Sequence, residues 1–332
     1  MRHFSCHRYW PVLMSTVTAL LLSAASARAD LIITPTFDSS ITGNPNAAII
    51  ENTIDTAIQQ YEARYANDID VTIDFEAMSS GLGQSQTTLY AIPYTDFYSA
   101  FAAEVALDPR PDTSEALSEL PDTIDNPVTG TPNLALSTAN ARALGICTVA
   151  TCPATYTDGY DGIIGLNLNL LNLSPTGTQN PSDYSLQAVA EHEMDEVLGL
   201  GSGLNLPTDN LSMEYPRPED LYRYSANGVR SYTNSSSAVS YFSINGGATN
   251  LIGFNQQGNG RADYGDWASS ATPHVQDAYG TPGSSPTLGV EFTALDVIGY
   301  QTVPEPATGT VVPGALAALA AAAFLRRSFR RA

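Results

Sequence analysis

The chain has 332 residues and a formal net charge of −20, from 14 basic and 34 acidic residues. All 34 acidic residues fall between Asp30 and Glu305, where seven arginines accompany them, so this segment carries a net charge of −27. Such a charge excludes binding to nucleic acid through the phosphate backbone and adsorption to an anionic membrane surface. A hydrophobic content of 43%, with 29 aromatic residues, excludes a globally disordered chain.

Residues 1–29 are typical of a secretory signal peptide. Two arginines form a basic start, residues 12–24 form an apolar run, and an Ala-x-Ala type of cleavage site ends at Ala29. The apolar run is too short for a membrane-spanning helix. We therefore expect the chain to be exported, with residues 30–302 as its working domain.

Elements of both types alternate along the first half of this domain. Alternating apolar residues predict strands, and apolar residues at helical spacing predict amphipathic helices. The predicted elements are, in chain order, a strand at Leu31–Phe37, a helix at 47–65, a strand at 69–75, a helix at Tyr94–Leu107, a helix at 134–144 and a strand at 161–168. Residues 109–132 are rich in Pro, Asp and Thr without periodicity, which predicts a long surface loop.

A further helix and an irregular lobe complete the predicted fold. Asn180 and Pro181 are a typical helix start and Gly199 is a typical stop, so a helix is expected from about 181 to 198. Residues 203–302 are rich in Gly, Asn, Ser and Tyr, which predicts a loop-rich C-terminal lobe. Together these elements predict an α/β (α+β) fold with a mixed sheet.

The pattern that carries chemistry lies on the helix expected at 181–198. His192 and Glu196 are four residues apart, so their side chains leave the same helix face. Another face, the expected core side, is an apolar stripe formed by Leu186, Val189, Ala190, Met194 and Val197. Two ligands at this spacing hold the metal of zinc-dependent hydrolases, in which a neighbouring carboxylate, here Glu193, takes a proton from water. The pattern therefore indicates a metal site with Glu193 as general base.

Residues 303–332 form a second targeting segment. They begin Val-Pro-Glu-Pro, continue in an Ala- and Leu-rich run at 307–325 and end in a tip with four arginines. About 19 weakly apolar residues can cross a bilayer, and the arginines hold the end in the cytoplasm. This arrangement resembles the PEP-CTERM sorting signal of Gram-negative bacteria. The resemblance implies processing by an exosortase-type enzyme, membrane contact only through this tail, and a final place in the periplasm, at the outer surface or in the extracellular matrix.

The helix motif resembles the active-site helix of zincin metalloproteases, and most of all that of exported PEP-CTERM metalloproteases, which reads H-E-x-x-H-x-x-G-F-x-S-G. His192 matches the first metal ligand, Glu193 the general base and Gly199 the glycine that ends the helix. Further similar stretches lie at 219–225, 241–247 and 292–300. The resemblance implies a zincin-like metallopeptidase domain over residues 30–302.

The sequence departs from this family at the metal ligands. Glu196 stands where the family has its second ligand histidine, Asp266 stands where it has the histidine of a His-Trp pair, and residues 272–277 replace its Met-containing turn. The mature chain keeps only two histidines, His192 and His274. The resemblance therefore implies a metal site of one imidazole and two carboxylates, from His192, Glu196 and Asp266. Such a set binds zinc, and it also suits manganese or iron.

Two alternatives stay open at this point. For the ligands, Asp195 is a rival to Glu196, and His274 is a rival to Asp266. For the function, we expect an exported metallopeptidase that acts on proteins or peptides. The alternative is a non-catalytic surface or matrix protein that retains a zincin-like fold without metal.

Three smaller expectations concern the surroundings of the site. The strand at 161–168 is expected to be the sheet edge that pairs with an extended peptide. Tyr224 or Tyr264 is expected to support the oxyanion. Export to an oxidising compartment favours a disulfide between Cys147 and Cys152, the cysteines that remain after signal cleavage.

Overall fold

The computed structural model describes residues 30–205, 214–257 and 262–303. The predicted signal peptide and the tail from residue 304 onward lie outside the described residues, so export and sorting stay predictions. Within the described ranges, no helix is both long enough and apolar enough to cross a membrane.

The described residues form a mixed α+β fold, as the sequence predicts. The helices are α1 (Ser39–Thr42), α2 (Ala47–Glu62), α3 (Tyr94–Leu107), α4 (Pro111–Ser118), α5 (Thr138–Ala143), α6 (Leu186–Leu198) and α7 (Val290–Val297). The strands are β1 (Leu31–Phe37), β2 (Ile69–Ala77), β3 (Gly83–Thr87), β4 (Leu89–Pro93), β5 (Asn133–Ser137), β6 (Gly162–Leu166), β7 (Leu171–Asn172), β8 (Tyr184–Ser185), β9 (Arg223–Ala226), β10 (Val229–Arg230), β11 (Tyr241–Phe242) and β12 (Ile252–Gly253). Short 3₁₀ helices lie at Leu168–Leu170, Gly203–Asn205 and Pro218–Tyr222.

The first sheet has the strand order β1-β2-β6-β3, with β3 as an antiparallel edge beside three parallel strands. Its residues alternate between faces, so that Val71, Ile73 and Phe75 of β2 are buried while their neighbours along the strand are not. Helices α2 and α6 pack against each other and supply apolar residues to the same core cluster. Gly162 of β6 lies against Val197, and a Cβ at residue 162 would collide with that valine, so glycine lets α6 approach the sheet closely.

The C-terminal lobe is built on a second sheet with the antiparallel order β10-β9-β11-β12. Phe242, Phe254 and Trp267 form an aromatic cluster with ring centroids 5.1 to 6.3 Å apart. The chain then returns to the first half, where the Ala66 N–H donates to the Gln301 carbonyl at 2.8 Å. Long connections between short strands confirm the expected loop-rich lobe.

Local capping and turn chemistry correct two predicted stretches. The loop predicted at 109–132 contains α4, which starts with Pro111 at its first helical position and buries Ala116. The helix predicted at 134–144 is instead β5 followed by α5. The break occurs at Ser137, whose side chain accepts a hydrogen bond from the Asn140 N–H at 3.2 Å and caps the new helix.

Two further corrections affect the site. Helix α6 begins at Leu186 rather than at 181, because Ser185 is the residue that caps it, accepting from the Ala188 N–H at 3.3 Å. The strand predicted at 161–168 is β6, which pairs with β2 on one side and β3 on the other. It is therefore an interior strand, and the sheet edges are β1 and β3. The predicted disulfide is confirmed, with the Cα atoms of Cys147 and Cys152 5.9 Å apart.

Candidate metal centre

Helix α6 presents two ligand candidates on a half-buried face. The predicted apolar stripe is buried throughout, from Leu186 to Val197, and anchors the opposite side of the helix in the core. His192 and Glu196 face the other way, with side chains 17% and 13% exposed. Gly199 ends the helix with a φ of 136°, a conformation that favours glycine.

The structure brings the three predicted ligands together from two distant segments. His192 Nε2 lies 3.6 Å from Glu196 Oε1 and 3.7 Å from Asp266 Oδ1. One ligand atom from each of the three residues lies within 4.8 Å of the others. Among the described residues, this is the group of His, Cys, Asp and Glu side chains with the spacing to hold a metal ion. We call His192, Glu196 and Asp266 the triad.

The outer atom of each triad side chain is held by a hydrogen bond, which leaves the inner atom directed at the others. His192 Nδ1 donates to the Val275 carbonyl at 3.0 Å, which fixes the ring with Nε2 facing inward. Ser85 Oγ donates to Glu196 Oε2 at 2.5 Å. The Asp263 N–H donates to Asp266 Oδ2 at 2.9 Å. Three separate loops and strands thus orient the triad.

The donor set and its spacing fit a divalent metal. Ligand atoms at about 2.0–2.2 Å from a tetrahedral zinc lie about 3.3–3.6 Å from each other. The separations of 3.6 and 3.7 Å from His192 Nε2 are close to that geometry, and the three ligand atoms together lie within 4.8 Å of one another. Two carboxylates balance the charge of a divalent ion, and the hydrogen-bonded imidazole is the usual form of a histidine ligand.

Glu193 lies beside the triad and against the edge strand. It is 5% exposed, and a Cβ added to Gly83 of β3 would collide with its carboxylate. Burial, reinforced by the charge of Glu196, raises the pKa of Glu193 well above its ordinary value. A divalent cation at the triad acts in the opposite direction, because a nearby positive charge favours the ionised carboxylate.

The charges of the triad are tightly linked. Burial alone lowers the pKa of His192, but the hydrogen bond with Glu196 and the charge of Asp266 outweigh it, so the pKa is raised well above its ordinary value. Burial raises the pKa of Asp266 to about 7. Binding of a metal therefore has to displace protons from these groups, which makes the affinity depend on pH.

The two rival ligands lie elsewhere. Asp195 points to the core side of α6, where Tyr61 donates its hydroxyl hydrogen to Asp195 Oδ1 at 3.0 Å. His274 does not belong to the group with metal-binding spacing found among the described residues. Its backbone N–H donates to Asp277 Oδ2 at 2.9 Å. The expected oxyanion residues have other partners, since the Tyr264 hydroxyl donates to the Asn234 carbonyl and Arg230 stacks on the Tyr224 ring.

Several residues of the site escape sequence reasoning. Ser85 lies in a short polar strand, and Asp263 contributes through its backbone N–H. Gln276 is fully buried beside the triad, with its Nε2 3.3 Å from Asp266 Oδ1 and 3.4 Å from His192 Nε2. Gln276 lies in residues 272–277, which stand where the resembling family has its Met-containing turn. That resemblance is the one sequence feature that could have pointed to Gln276.

Comparison with known proteins adds no relative. No family model, no curated protein and no solved structure matches the chain.

Proposed function

We propose that this chain is an exported metal-dependent peptidase with a zincin-like domain. The observation that carries the proposal is the convergence of the triad, in which the inner atoms face one another while every outer atom is held by a hydrogen bond. The buried carboxylate of Glu193 next to the triad supports a hydrolytic role. The signal-like start and the PEP-CTERM-like tail support export, processing by an exosortase-type enzyme and residence at the surface of a Gram-negative cell.

The metal held by His192, Glu196 and Asp266 would be zinc, manganese or iron, and it supplies a Lewis acid that polarises a peptide carbonyl and acidifies water. Glu193 accepts the proton of the attacking water and delivers it to the leaving amine. Burial raises the pKa of Glu193, which favours return of the proton to the leaving amine, and a divalent cation at the triad favours the ionised form that accepts it.

The edge strand β3 is the place where a substrate backbone would bind. Its outer edge lacks a strand neighbour within the described sheet, and Gly83 and Ser85 touch Glu193 and Glu196 respectively. An extended peptide that adds to this edge has its main chain held by strand-like hydrogen bonds next to the general base. This replaces the strand at 161–168 as the expected docking edge.

The decisive experiment measures metal per chain and then peptide cleavage. We expect elemental mass spectrometry on the tag-free mature chain to find about one zinc, manganese or iron ion. His192→Ala should lose that ion, whereas the matched variant His274→Ala should keep it. Glu193→Gln should keep the ion and lower kcat/KM on a peptide cleaved by the parent by about 10²–10⁴-fold, the usual contribution of a general base.

Two results would contradict the proposal. A parent that retains no metal after supplementation supports the alternative function, a non-catalytic surface or matrix protein. A Glu193→Gln variant that cleaves peptides as fast as the parent removes Glu193 from the mechanism.

A further inference from the structure

Gln276 is a buried amide that reaches the triad from a third direction. The residue is fully buried, and its backbone is held on both sides. Its N–H donates to Glu291 Oε1 at 3.1 Å, and its carbonyl accepts from the Trp267 N–H at 2.8 Å. The side chain therefore starts from a fixed backbone and ends beside the triad.

The two ends of the Gln276 amide have unequal surroundings. The Nε2 group lies 3.3 Å from Asp266 Oδ1 and 3.4 Å from His192 Nε2, the same atoms that face the proposed metal. The Oε1 atom is buried and has no hydrogen-bond partner among the described residues. An unpaired buried carbonyl costs about 1–3 kcal/mol, so this oxygen is available for a stronger partner.

When a cation is bound at the triad, the carbonyl oxygen of the Gln276 side chain is favoured over its NH₂ group as the end that faces the triad. An NH₂ group carries partial positive charge and offers no lone pair, whereas the carbonyl oxygen of Asn or Gln is an ordinary ligand for hard cations. A half-turn of the amide brings Oε1 to the place that Nε2 occupies, within a short movement of the triad atoms. We infer that Gln276 is a fourth metal ligand, which binds through Oε1 after this half-turn.

This inference rests on the metal site of the proposed function and adds to its chemistry. The ligand set becomes one imidazole nitrogen and three oxygens, of which the Gln276 oxygen is uncharged. Four protein ligands complete the coordination sphere of a tetrahedrally coordinated ion, as in structural zinc sites. A metal that keeps a position for water on this set must therefore take at least five ligands, which zinc in an expanded state, manganese, iron and cobalt all do.

Cobalt(II) is the probe for a test, because its visible bands are intense with four ligands and weak with five or six. The full chain, stripped with a chelator, is titrated with CoCl₂ alongside Gln276→Met and Gln276→Glu. Gln187→Met is the matched control, since Gln187 lies on α6 and donates to Glu191 rather than to the triad. We expect weak bands for the parent and for Gln187→Met. Gln276→Met should bind cobalt about 10–100-fold more weakly and with stronger bands, because one ligand is lost.

The outcomes separate this inference from the function on which it rests. Gln276→Met with the band intensity of the parent shows that the amide is not a ligand, although the metal site stands. A parent that binds no cobalt overturns both the inference and the proposed function. If Gln276→Met does not fold, Gln276→Glu replaces it and should keep the weak bands, because its carboxylate supplies the oxygen. A crystal structure of the cobalt-loaded parent gives the direct distance, with Oε1 at about 2.0–2.3 Å expected and a separation above 3 Å contradicting the inference.

Discussion

The two halves of the described domain are stabilised in different ways. In residues 30–200, apolar side chains of β2 pack under α2 and α6, and the buried set is dominated by Val, Ile, Leu and Phe. The interior of residues 214–303 is richer in charged side chains, although residues 30–200 also bury a few, such as Arg142, Asp161 and Asp195. Glu219, Asp220 and Arg223 are each about 1% exposed.

These buried charges hold loops in place. Asp220 accepts from Ser202 Oγ at 2.6 Å and from the Gly203 N–H at 2.8 Å, so it fixes the turn after α6. Arg223 donates to the Tyr264 carbonyl at 2.6 Å and stacks on the Phe254 ring at 4.1 Å. A loop has no regular backbone pairing of its own, and side chains therefore supply its hydrogen bonds.

The triad lies at the junction and takes its parts from both halves. His192 and Glu196 come from the apolar half, on a helix that periodicity and core packing define. Asp266 comes from the polar half, two residues after the Tyr264 carbonyl that Arg223 holds. We therefore expect damage to the polar half to disturb the triad more directly than equal damage to the apolar half.

The largest effect is expected for a substitution of Arg223, which tests whether the polar half holds Asp266 in place. Arg223→Met removes the donor to Tyr264 and leaves the buried carboxylates of Glu219 and Asp220 without its charge. We expect the free energy of unfolding to fall by about 3–5 kcal/mol, the usual cost of breaking a buried charge network from one side. We also expect the folded protein to lose its metal, because the loop that carries Asp266 is released. Urea unfolding and metal content measured on the folded fraction check both effects.

Phe75→Ala is the matched control in the apolar half. Phe75 is fully buried in β2, and we expect Phe75→Ala to lower the free energy of unfolding by a similar amount, about 3–5 kcal/mol. The folded fraction should nevertheless keep one metal per chain. Equal metal retention in the two variants would mean that the polar half does not position Asp266 as argued.

A smaller effect is expected where the apolar half touches the chemistry. Gly83→Ala places a Cβ against the Glu193 carboxylate and Val189, so the proposed general base must move while the triad stays in place. We expect kcat/KM to fall about 10²-fold, as for a displacement of about 1 Å in an active site, with the metal retained. Gly253→Ala is the control, because its Cβ meets Ala268 at an ordinary 3.6 Å. Unchanged cleavage by Gly83→Ala would place the catalytic carboxylate elsewhere.

The contrast between the halves also explains how much of the fold could be predicted. Strand Leu31–Phe37 and helix Tyr94–Leu107 are confirmed at their predicted bounds, because a half-buried strand or helix has a periodic apolar pattern. Strand β3 has the sequence Gly-Gln-Ser-Gln-Thr and carries no such pattern, since it is a polar edge strand. It was missed, although it contacts the site.

The same limit applies to the site itself. The pair His192 and Glu196 follows from local helix geometry, and its shared face is confirmed. Asp266 is 70 residues beyond Glu196, and only the resemblance to a family suggested it. Ser85 and Gln276 reach the triad through tertiary contacts between loops and strands, which no spacing along the chain encodes. The roles of Glu193 as base and of the triad as ligands stay predictions.

The smallest expected effect concerns Glu104, a partly buried carboxyl group in a cavity lined by residues of both halves. Glu104 on α3 lies in a small cavity lined also by Phe101, Arg110, Asp296 and Gln301. Burial raises the pKa of Glu104 to about 8, although Gln301 and Arg110 act in the opposite direction, from an ordinary value of 4.5. The folded state therefore keeps a proton that the unfolded chain releases between about pH 4.5 and 8. Stability should fall as pH rises through that range, because the unfolded state binds fewer protons.

Glu104→Gln tests whether burial outweighs the stabilising effect of Arg110 and Gln301 on the ionised Glu104 carboxylate. The variant carries no ionisable group, so its stability relative to the parent should be nearly unchanged at pH 4.5 and higher by about 1–2 kcal/mol at pH 8. That gain is below the full value of the pKa shift, because the side chain is partly exposed and water screens it. Urea unfolding across this pH range measures the difference, with the exposed Glu115→Gln on α4 as control. Parallel pH profiles for the parent and Glu104→Gln would show that Glu104 is ionised in the folded protein, and that burial does not raise its pKa as argued.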